Sequence, residues 1–296
     1  MPTAYKIALP EAPAAREGTP AAEALVGAPL IDVRGGGADA TPHRYDSFGA
    51  KVGAVKWEFG GMLALFSVIH VGTAIRDPQK FRFQNEGFFG RDTNNLGLDK
   101  LAHGFNTYVY SDVLYNRIAR KAGTGVESAL TAAALATGLQ LLGEVTDGLH
   151  QGSGFSVHDL ALNVAGGGFS VLRNSVPGMK DKLDFRLSIV PNDELYTFKG
   201  KKHYQQQRYL FAVKLAGFDR LARTPLRLFE LHLGYYGKNF LNEDRARGVV
   251  PQRKIFAGFG INFGELVFRN SQSKVGRAIR SATHYFQLPY TTLRLK

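Results

Sequence analysis

The chain has 296 residues, a formal net charge of +12, 44% hydrophobic residues and no cysteine. Its length and apolar content provide a large core and exclude a mostly disordered protein, while the absence of cysteine excludes disulfides, a catalytic thiol and cysteine-based metal sites. The positive excess lies entirely in residues 180–296, which hold 22 Lys and Arg against 9 Asp and Glu, so this part is predicted to face anionic phosphates or to form a solubilising surface.

Residues 1–50 are rich in Ala, Pro and Gly and show no sustained apolar period. Such a composition buries too little apolar surface to fold, so we predict a disordered tail. No basic segment followed by an apolar segment and a cleavage site is visible, so a secretory signal peptide is not predicted. A lipoprotein anchored through an acylated cysteine is not expected either, because the sequence has no cysteine.

The strongest apolar run covers residues 52–75. As a helix it would be roughly 36 Å long, compared with about 30 Å for the hydrocarbon core of a bilayer. Lys56, Glu58 and His70 interrupt the run, and the first two lie near one end, where long side chains reach the headgroups. We therefore predict a transmembrane helix, with a buried core helix as the alternative.

Three further helices are predicted, at about residues 99–121, 126–149 and 156–173. Glycines at 123 and 125 separate the first two. Ser156 is expected to cap the third, with Asp159 in the capping-box position. Ala and Gly dominate much of the second helix, and such small residues let helices approach closely, especially in membranes.

Five strand-like segments follow, at about residues 183–190, 209–218, 226–236, 254–268 and 288–295. Large apolar residues alternate in them with small or polar ones, as in half-buried sheets and in membrane barrels. Five strands are too few to close a single-chain membrane barrel, whose minimum is about eight. We therefore predict an antiparallel sheet or partial barrel whose apolar face lies on the helices or on a bilayer.

The three later helices carry polar residues one turn apart, so the residues of each set share a face. The candidates for catalysis are His103, Glu144, Asp147 and Asp159, and the candidates for binding are Asp99, Lys100, Ser156 and Asn163. Antiparallel packing would bring these faces together in a poorly hydrated place, where charges need partners or a task. A His beside carboxylates can transfer protons or hold a metal. The alternative for each residue is a satisfied structural pair or a helix cap.

The chain resembles a known family in this region. Three features are similar to those of the VanZ-like family of small helical membrane proteins. They are D-K-x-x-H, an apolar helix ending in Glu, and S-x-x-D-x-x-x-N-x-x-G. The longer pattern is closer to the YfiM-type predicted periplasmic lipoproteins. It includes F-R-F-x-N-E-G-F-F-G-x-D-T before L-D-K-L-A-H, and G-Y-Y-G before R-K-I-F-A-G-F-G. The resemblance covers about residues 52–268 and implies a cell-envelope protein without an established reaction. VanZ-like proteins are linked in general terms to glycopeptide (teicoplanin) resistance.

Carried over to this chain, the family motif falls on the following residues: Asp99, Lys100, His103, Glu144, Asp147, Ser156, Asp159, Asn163 and Gly166. Two features depart from the family and from outer-membrane barrels. The cysteine that lipoprotein members acylate is missing, and the chain ends in L-R-L-K instead of an aromatic residue. We therefore expect attachment through residues 52–75 or through the sheet.

We predict an α+β protein with a disordered tail (1–50), a membrane-associated helical core of about four helices (51–179) and a basic antiparallel β region (180–296). It is expected to be a membrane-associated protein of the bacterial cell envelope, with membrane lipid as partner. The place where the polar faces meet would be structural or would bind an anionic lipid or glycan headgroup.

Two alternatives stay open. One is a membrane-embedded hydrolase or transferase acting on a lipid-linked substrate. The other is a subunit of a larger assembly or homo-oligomer joined through sheet edges. Scattered basic residues without a recognised module argue against nucleic acid. No complete zinc motif, phosphate loop or nucleophile motif is present, so no metal or cofactor is predicted and no reaction is defined.

Overall fold

A computed structural model describes Tyr45 and residues 47–295. The predicted tail lies almost wholly outside these described residues, except that its last three residues begin a helix at Phe48, where the side chain of Ser47 accepts a hydrogen bond from the backbone of Ala50. The longer helices are α1 (Phe48–Ala54), α2 (Lys56–Arg76), α3 (Leu98–Ala122), α4 (Val126–Gly148) and α5 (Val157–Ser175).

Helices α3, α4 and α5 pack against one another, and α2 packs along α4. The core between them is built from small and aliphatic side chains, among them Leu114, Ile118, Ala132 and Ala136. Small residues on α4 allow close packing, as the Ala-rich sequence predicts. The four predicted helices are therefore present, close to their expected positions.

Two helices in the described part of the chain, Lys56–Arg76 and Val126–Gly148, are long and apolar enough to cross a membrane, a test that buried core helices also pass. Their surroundings differ. Only 6% of the tested stretch of α2 is buried, whereas 56% of that of α4 is buried. Helix α4 is therefore a core helix of the bundle, and α2 is its exposed apolar neighbour.

The sheet contains β1 (Leu183–Ile189), β2 (Gln207–Lys214), β3 (Phe229–Lys238), β4 (Gln252–Ile261) and β5 (Thr292–Arg294). Each strand pairs antiparallel with the next, in the order β1-β2-β3-β4-β5. Short helices lie before and between the strands: α6 (Met179–Lys182), α7 (Gly200–Gln206), α8 (Asp219–Ala222), α9 (Asn242–Ala246), α10 (Phe263–Phe268) and α11 (Lys274–Ala282). The predicted α+β class with a helical part followed by an antiparallel sheet is confirmed, while the division into three domains stays a prediction.

Four predicted strand boundaries differ from the structure by three residues or more, namely the end of the second strand, the start of the third, the end of the fourth and the start of the fifth. Local chemistry explains two of them. The fourth strand ends at Ile261, because the side chain of Asn262 accepts a hydrogen bond from the backbone of Glu265 and starts α10. The third strand begins only at Phe229, since Thr224 and Pro225 start a turn of 3₁₀ helix before it. Capping side chains and proline compete locally with strand pairing.

The sheet is reversed, with its polar side buried and much of its apolar side exposed. On β3, Glu230 and His232 are buried, whereas their apolar neighbours Leu231 and Leu233 are 41% and 55% exposed. On the apolar side of the sheet, β1 and β2 pack on the helical bundle through Phe185 and Tyr209. The described residues leave the rest of this side open. We call this open surface the apolar sheet face; it consists of Phe211, Phe229, Leu231, Leu233, Ile255, Phe259, Ile261, Leu293 and Leu295.

The C-terminal segment covers the polar inner side of the sheet. Leu187, on the edge of β1 that does not pair with β2, forms a parallel bridge with Phe286. The same segment then continues into β5, which pairs with β4 at the opposite edge of the sheet. Gln287 bonds to Arg186 and Thr292 bonds to His232. Gly260 leaves the space that the His232 ring occupies. The curled sheet thus encloses polar side chains, as the predicted partial barrel would.

Candidate functional site

Lys100 lies at the start of α3 and is fully buried. Its ammonium pairs with Glu86, with Asp99 at 2.9 Å and with Asp159 at 3.1 Å. Burial opposes the charged form, but the three carboxylates outweigh it and hold the pKa of Lys100 above its usual range. Lys100 is therefore a permanent cation that ties α3 to the preceding loop and to α5.

His103 lies one turn after Asp99 and faces carboxylates from two other helices. Its Nδ1 is 3.3 Å from Oε1 of Glu144, and its Nε2 is 3.9 Å from Oδ1 of Asp159. The imidazole is 29% exposed, whereas the Glu144 side chain is 2% exposed. The structure thus brings Glu144 and Asp159 within 4.0 Å of His103, while the fourth catalytic candidate, Asp147, interacts with His103 through its charge. We define the polar centre as Glu86, Asp99, Lys100, His103, Glu144, Asp147 and Asp159.

The carboxyls on α4 have raised pKa values. Burial, with a further contribution from the charge of Asp159, raises the pKa of Glu144 to about 8. Burial raises the pKa of Asp147 to about 6, although the neighbouring His103 and His150 oppose this shift. A carboxyl with such a pKa can keep a proton near neutral pH, which suits either a structural hydrogen bond or acid–base chemistry.

Two binding candidates have structural roles. Ser156 caps α5, since its hydroxyl accepts a hydrogen bond from the backbone of Asp159 and its own backbone N–H donates to Oε2 of Glu144. Asn163 lies one turn below Asp159, where its Oδ1 accepts hydrogen bonds from Thr107 of α3 and Gln140 of α4. Asp99 and Lys100, by contrast, lie within the polar centre.

The approach of α3 and α5 depends on Gly166. A Cβ atom on this residue would overlap the backbone carbonyl of Gly104, well inside van der Waals contact. Only a hydrogen atom fits there, so the two backbones nearly touch. This contact lies close to the polar centre and fixes the distance between the helices that carry Lys100, His103 and Asp159.

The polar centre has more carboxylates than cations. Five carboxyl groups face one lysine and one histidine. Two groups of three within it have donor atoms that lie within 4.8 Å of one another, as metal ligands do: His103 with Glu144 and Asp159, and Glu86 with Asp99 and Asp159. The arrangement can therefore accept a cation more readily than an anion.

Sequence reasoning missed Glu86. The residue lies in the loop before α3 and reaches Lys100 across the polar centre. It belongs to the F-R-F-Q-N-E-G-F-F-G-R-D-T segment that carries the family resemblance. Its place in this segment was the one sign in the sequence that Glu86 belongs to the site. A loop residue has no helical spacing that would show which residues share its face.

Sequence reasoning also missed a buried charge network between the bundle and the inner side of the sheet. Arg173 pairs with Asp112 at 2.7 Å and with Asp184 at 2.6 Å, and Arg186 joins Asp184 to Glu230. We call this group, with Lys214, His232 and His284, the buried charge network. Alternation of charged and apolar residues along β1 and β3 was its signal in the sequence.

Comparison with known families gives one match. Residues 85–175 match the family described as predicted periplasmic lipoprotein (DUF2279). This segment contains the whole polar centre and supports a periplasmic lipoprotein-like family, but not the VanZ-like or YfiM-type names. Searches of curated proteins and of solved structures gave no match. The description implies a protein of the bacterial cell envelope and does not separate inner from outer membrane.

Proposed function

We propose that this is a membrane-associated protein of the cell envelope that contacts the lipid bilayer through the apolar sheet face and helix α2. The observation that carries the proposal is the reversed sheet. Charged side chains such as Arg186 and Glu230 lie inside, at 3% and 0% exposure, while Ile255 and Leu293 on the outer side are 76% and 78% exposed.

An apolar surface of this extent is unusual for a monomer in water. Nine large apolar side chains form the face, and contiguous apolar patches on soluble monomers mark a binding surface for protein, membrane or ligand. Helix α2 adds a second apolar surface: it packs along α4 on one side, and only 6% of its tested stretch is buried. A bilayer would accept both surfaces, because it replaces water by hydrocarbon.

Basic residues at the rim of the sheet, where β3 ends and β4 begins, support contact with anionic headgroups. The β3–β4 hairpin ends in exposed Lys238, Arg253 and Lys254. A basic side chain near an anionic leaflet contributes about 1 kcal/mol. The headgroup contact is therefore assigned to this rim and not to the polar centre, where carboxyl groups outnumber the cations. On this proposal the polar centre is chiefly structural.

The test is co-flotation of the purified full chain with lipid vesicles after removal of detergent. The double variant Leu233→Ser with Ile255→Ser removes two exposed apolar side chains, each contributing about 1–2 kcal/mol when partly buried in lipid. We expect it to need about tenfold or more lipid for half-maximal flotation. Leu195→Ser is the matched control, since Leu195 is 84% exposed in a loop outside the sheet.

Three outcomes would contradict the proposal. The wild-type chain could stay in solution without detergent and fail to float, or the double variant could float as well as the control. A lipid-free oligomer that dissociates in the double variant would show that a second copy covers the apolar sheet face instead. Circular dichroism of both variants controls for folding.

A second candidate function is hydrolysis or transfer on a lipid-linked substrate. One observation favours it: the 3.3 Å between His103 Nδ1 and Glu144 Oε1 is close to the range of about 2.6–3.2 Å that proton transfer requires. His103 would act as the base and Glu144 as its partner. The test is product release from lipid-linked phosphate esters and glycans, measured by mass spectrometry. Turnover should be lost in His103→Gln and kept in His150→Gln, and a wild-type chain without turnover would exclude this candidate for those substrates.

A further inference from the structure

We propose that His103, Glu144 and Asp159 bind one divalent metal ion of the kind that accepts mixed nitrogen and oxygen ligands, such as zinc or manganese. This site is independent of the membrane contact proposed above. It lies at the junction of α3, α4 and α5. The ligands would be one imidazole nitrogen and two carboxylate oxygens.

The spacing of the donor atoms fits such an ion. One donor atom from each of the three residues lies within 4.8 Å of the other two. Zinc–ligand bonds of about 2.0–2.2 Å in tetrahedral geometry place neighbouring donors roughly 3.3–3.5 Å apart. The 3.3 Å between Nδ1 of His103 and Oε1 of Glu144 already has this value. Three protein ligands would leave a position for water or substrate.

An independent observation points to a missing ligand at the same place. Glu144 is only 2% exposed, yet its Oε1 atom has no hydrogen-bond partner. Nδ1 of His103 also lacks a hydrogen bond, and Oδ1 of Asp159 has only its ion pair with the Lys100 ammonium, at 3.1 Å. Leaving one such buried group without a partner costs about 1–3 kcal/mol, and more when it is charged. A single cation between these atoms would satisfy all three.

The charges of the polar centre favour a cation on this side. Lys100 is shared among Glu86, Asp99 and Asp159, and no ammonium or guanidinium group of the described residues pairs within 4.0 Å with Glu144. The carboxylates therefore exceed the local positive charge. A divalent ion at Glu144 and Asp159 would correct this imbalance without displacing Lys100 from Glu86 and Asp99.

The sequence predicted no metal site, because its ligands follow no metal-binding spacing. His103, Glu144 and Asp159 come from three helices, and only helix packing brings them together. The competing explanation is a proton held between His103 and Glu144. A proton would join only these two groups, whereas a metal ion would also bind Oδ1 of Asp159, which lies 3.9 Å from Nε2 of His103.

The test is titration of the chelator-treated full chain, purified in detergent, with Zn²⁺ or Mn²⁺ in competition with a chromophoric chelator. We expect one ion per chain and at least tenfold weaker binding in both Glu144→Gln and Asp159→Asn. Two controls should bind as the wild type does. His150→Gln removes a histidine outside the site, and Glu58→Gln removes a carboxylate that pairs with Lys121 at 3.6 Å.

X-ray absorption of the zinc-loaded wild-type chain gives a readout that does not depend on whether variants fold. We expect one imidazole nitrogen, with oxygen ligands completing the shell. Absence of stoichiometric binding, or equal binding in all variants, would overturn the proposal and leave an adventitious ion only. An all-oxygen spectrum would place the ion at Glu86, Asp99 and Asp159, which also overturns it.

Discussion

At the scale of single residues, buried charges are paired in a chain that joins the helices to the sheet. Arg173 from α5 is fully buried between Asp112 of α3 and Asp184 of β1. Burial alone would raise the pKa of Asp184, but the surrounding cations, Lys214 first among them, hold it well below its usual range. Each charge in this group therefore depends on its neighbours.

Arg173→Met tests this dependence. The change leaves Asp112 and Asp184 buried and short of a cation, so we expect the free energy of unfolding to fall by about 3–5 kcal/mol. Chemical unfolding in detergent, followed by circular dichroism, measures it. Arg247→Met is the control, because Arg247 is exposed in its pair with Asp244 and should cost below about 1 kcal/mol. Equal losses would refute this account.

His284 makes stability depend on pH. Burial, followed by the charge of Lys214, lowers the pKa of His284 from 6.5 to about 4, although Asp184 opposes the shift. The unfolded chain then binds the proton first, so stability is complete above about pH 6.5 and falls as the pH drops towards 4. Lys214, with a pKa of about 8, and Arg173 stay protonated throughout this range.

The measurement is the free energy of unfolding between pH 4 and pH 7 in the wild type and in His284→Gln. We expect the variant to lose part of the acid-side slope, whatever its absolute stability. Asp184 contributes only at the acid end, because its folded pKa lies below its ordinary value of 3.8. Parallel curves for the two proteins would show that His284 does not carry the effect.

At the scale of elements, backbone contact between α3 and α5 positions the polar centre. Gly104 and Gly166 face each other with no space for a side chain. Lys100 and His103 on α3 and Asp159 on α5 lie near this contact. Any separation of the two helices would therefore lengthen the pairs Lys100–Asp159 and His103–Asp159 together.

Gly166→Ala should destabilise the fold by about 1–3 kcal/mol or more, because its methyl group forces the helices apart. Gly168→Ala is a matched control on the same helix, where a Cβ atom meets nothing within 4 Å. The control should gain about 0.5–1 kcal/mol from helix propensity. Thermal unfolding in detergent measures both, and the same sign for the two variants would contradict the close contact.

At the scale of the whole molecule, apolar and basic surfaces lie side by side on the C-terminal half. The apolar sheet face is open, and the hairpin rim beside it carries Lys238, Arg253 and Lys254. Among the described strands, β5 covers only part of the β4 edge, through Gly258 to Gly260. Assembly through the remaining edge stays a prediction, which the molecular mass in detergent would test.

Vesicle binding should therefore have a salt-dependent and a salt-independent part. Raising the ionic strength from low values to about 1 M shortens the Debye length to roughly 3 Å and should weaken binding to anionic vesicles without abolishing it. Lys254→Gln should lower affinity for anionic vesicles about fivefold, corresponding to about 1 kcal/mol. Flotation with neutral vesicles is the control and should respond to neither change. Complete loss of binding at high salt would contradict the predicted apolar contribution to binding.

The sequence alone predicted the long helices and the five strands, because helical and strand periods are local, but it did not predict the short helices α6 to α11. The spacing of Asp99 and His103 predicted a shared helix face, and Ser156 marked the start of α5. Alternation along β3 and β4 predicted one apolar and one polar side. The helix cap at Asn262, which ends the fourth strand, can be recognised in the sequence. The prediction followed the longer apolar pattern instead and therefore extended the strand too far.

Only the tertiary structure decided which groups meet. Glu86 reaches Lys100 from a loop, and Arg173 joins Asp112 to Asp184 across the bundle and the sheet. It also decided that the polar side of the sheet turns inward and the apolar side outward. Local periods fix which residues share a face, but the partner of that face depends on how distant segments fold back and how the sheet curls.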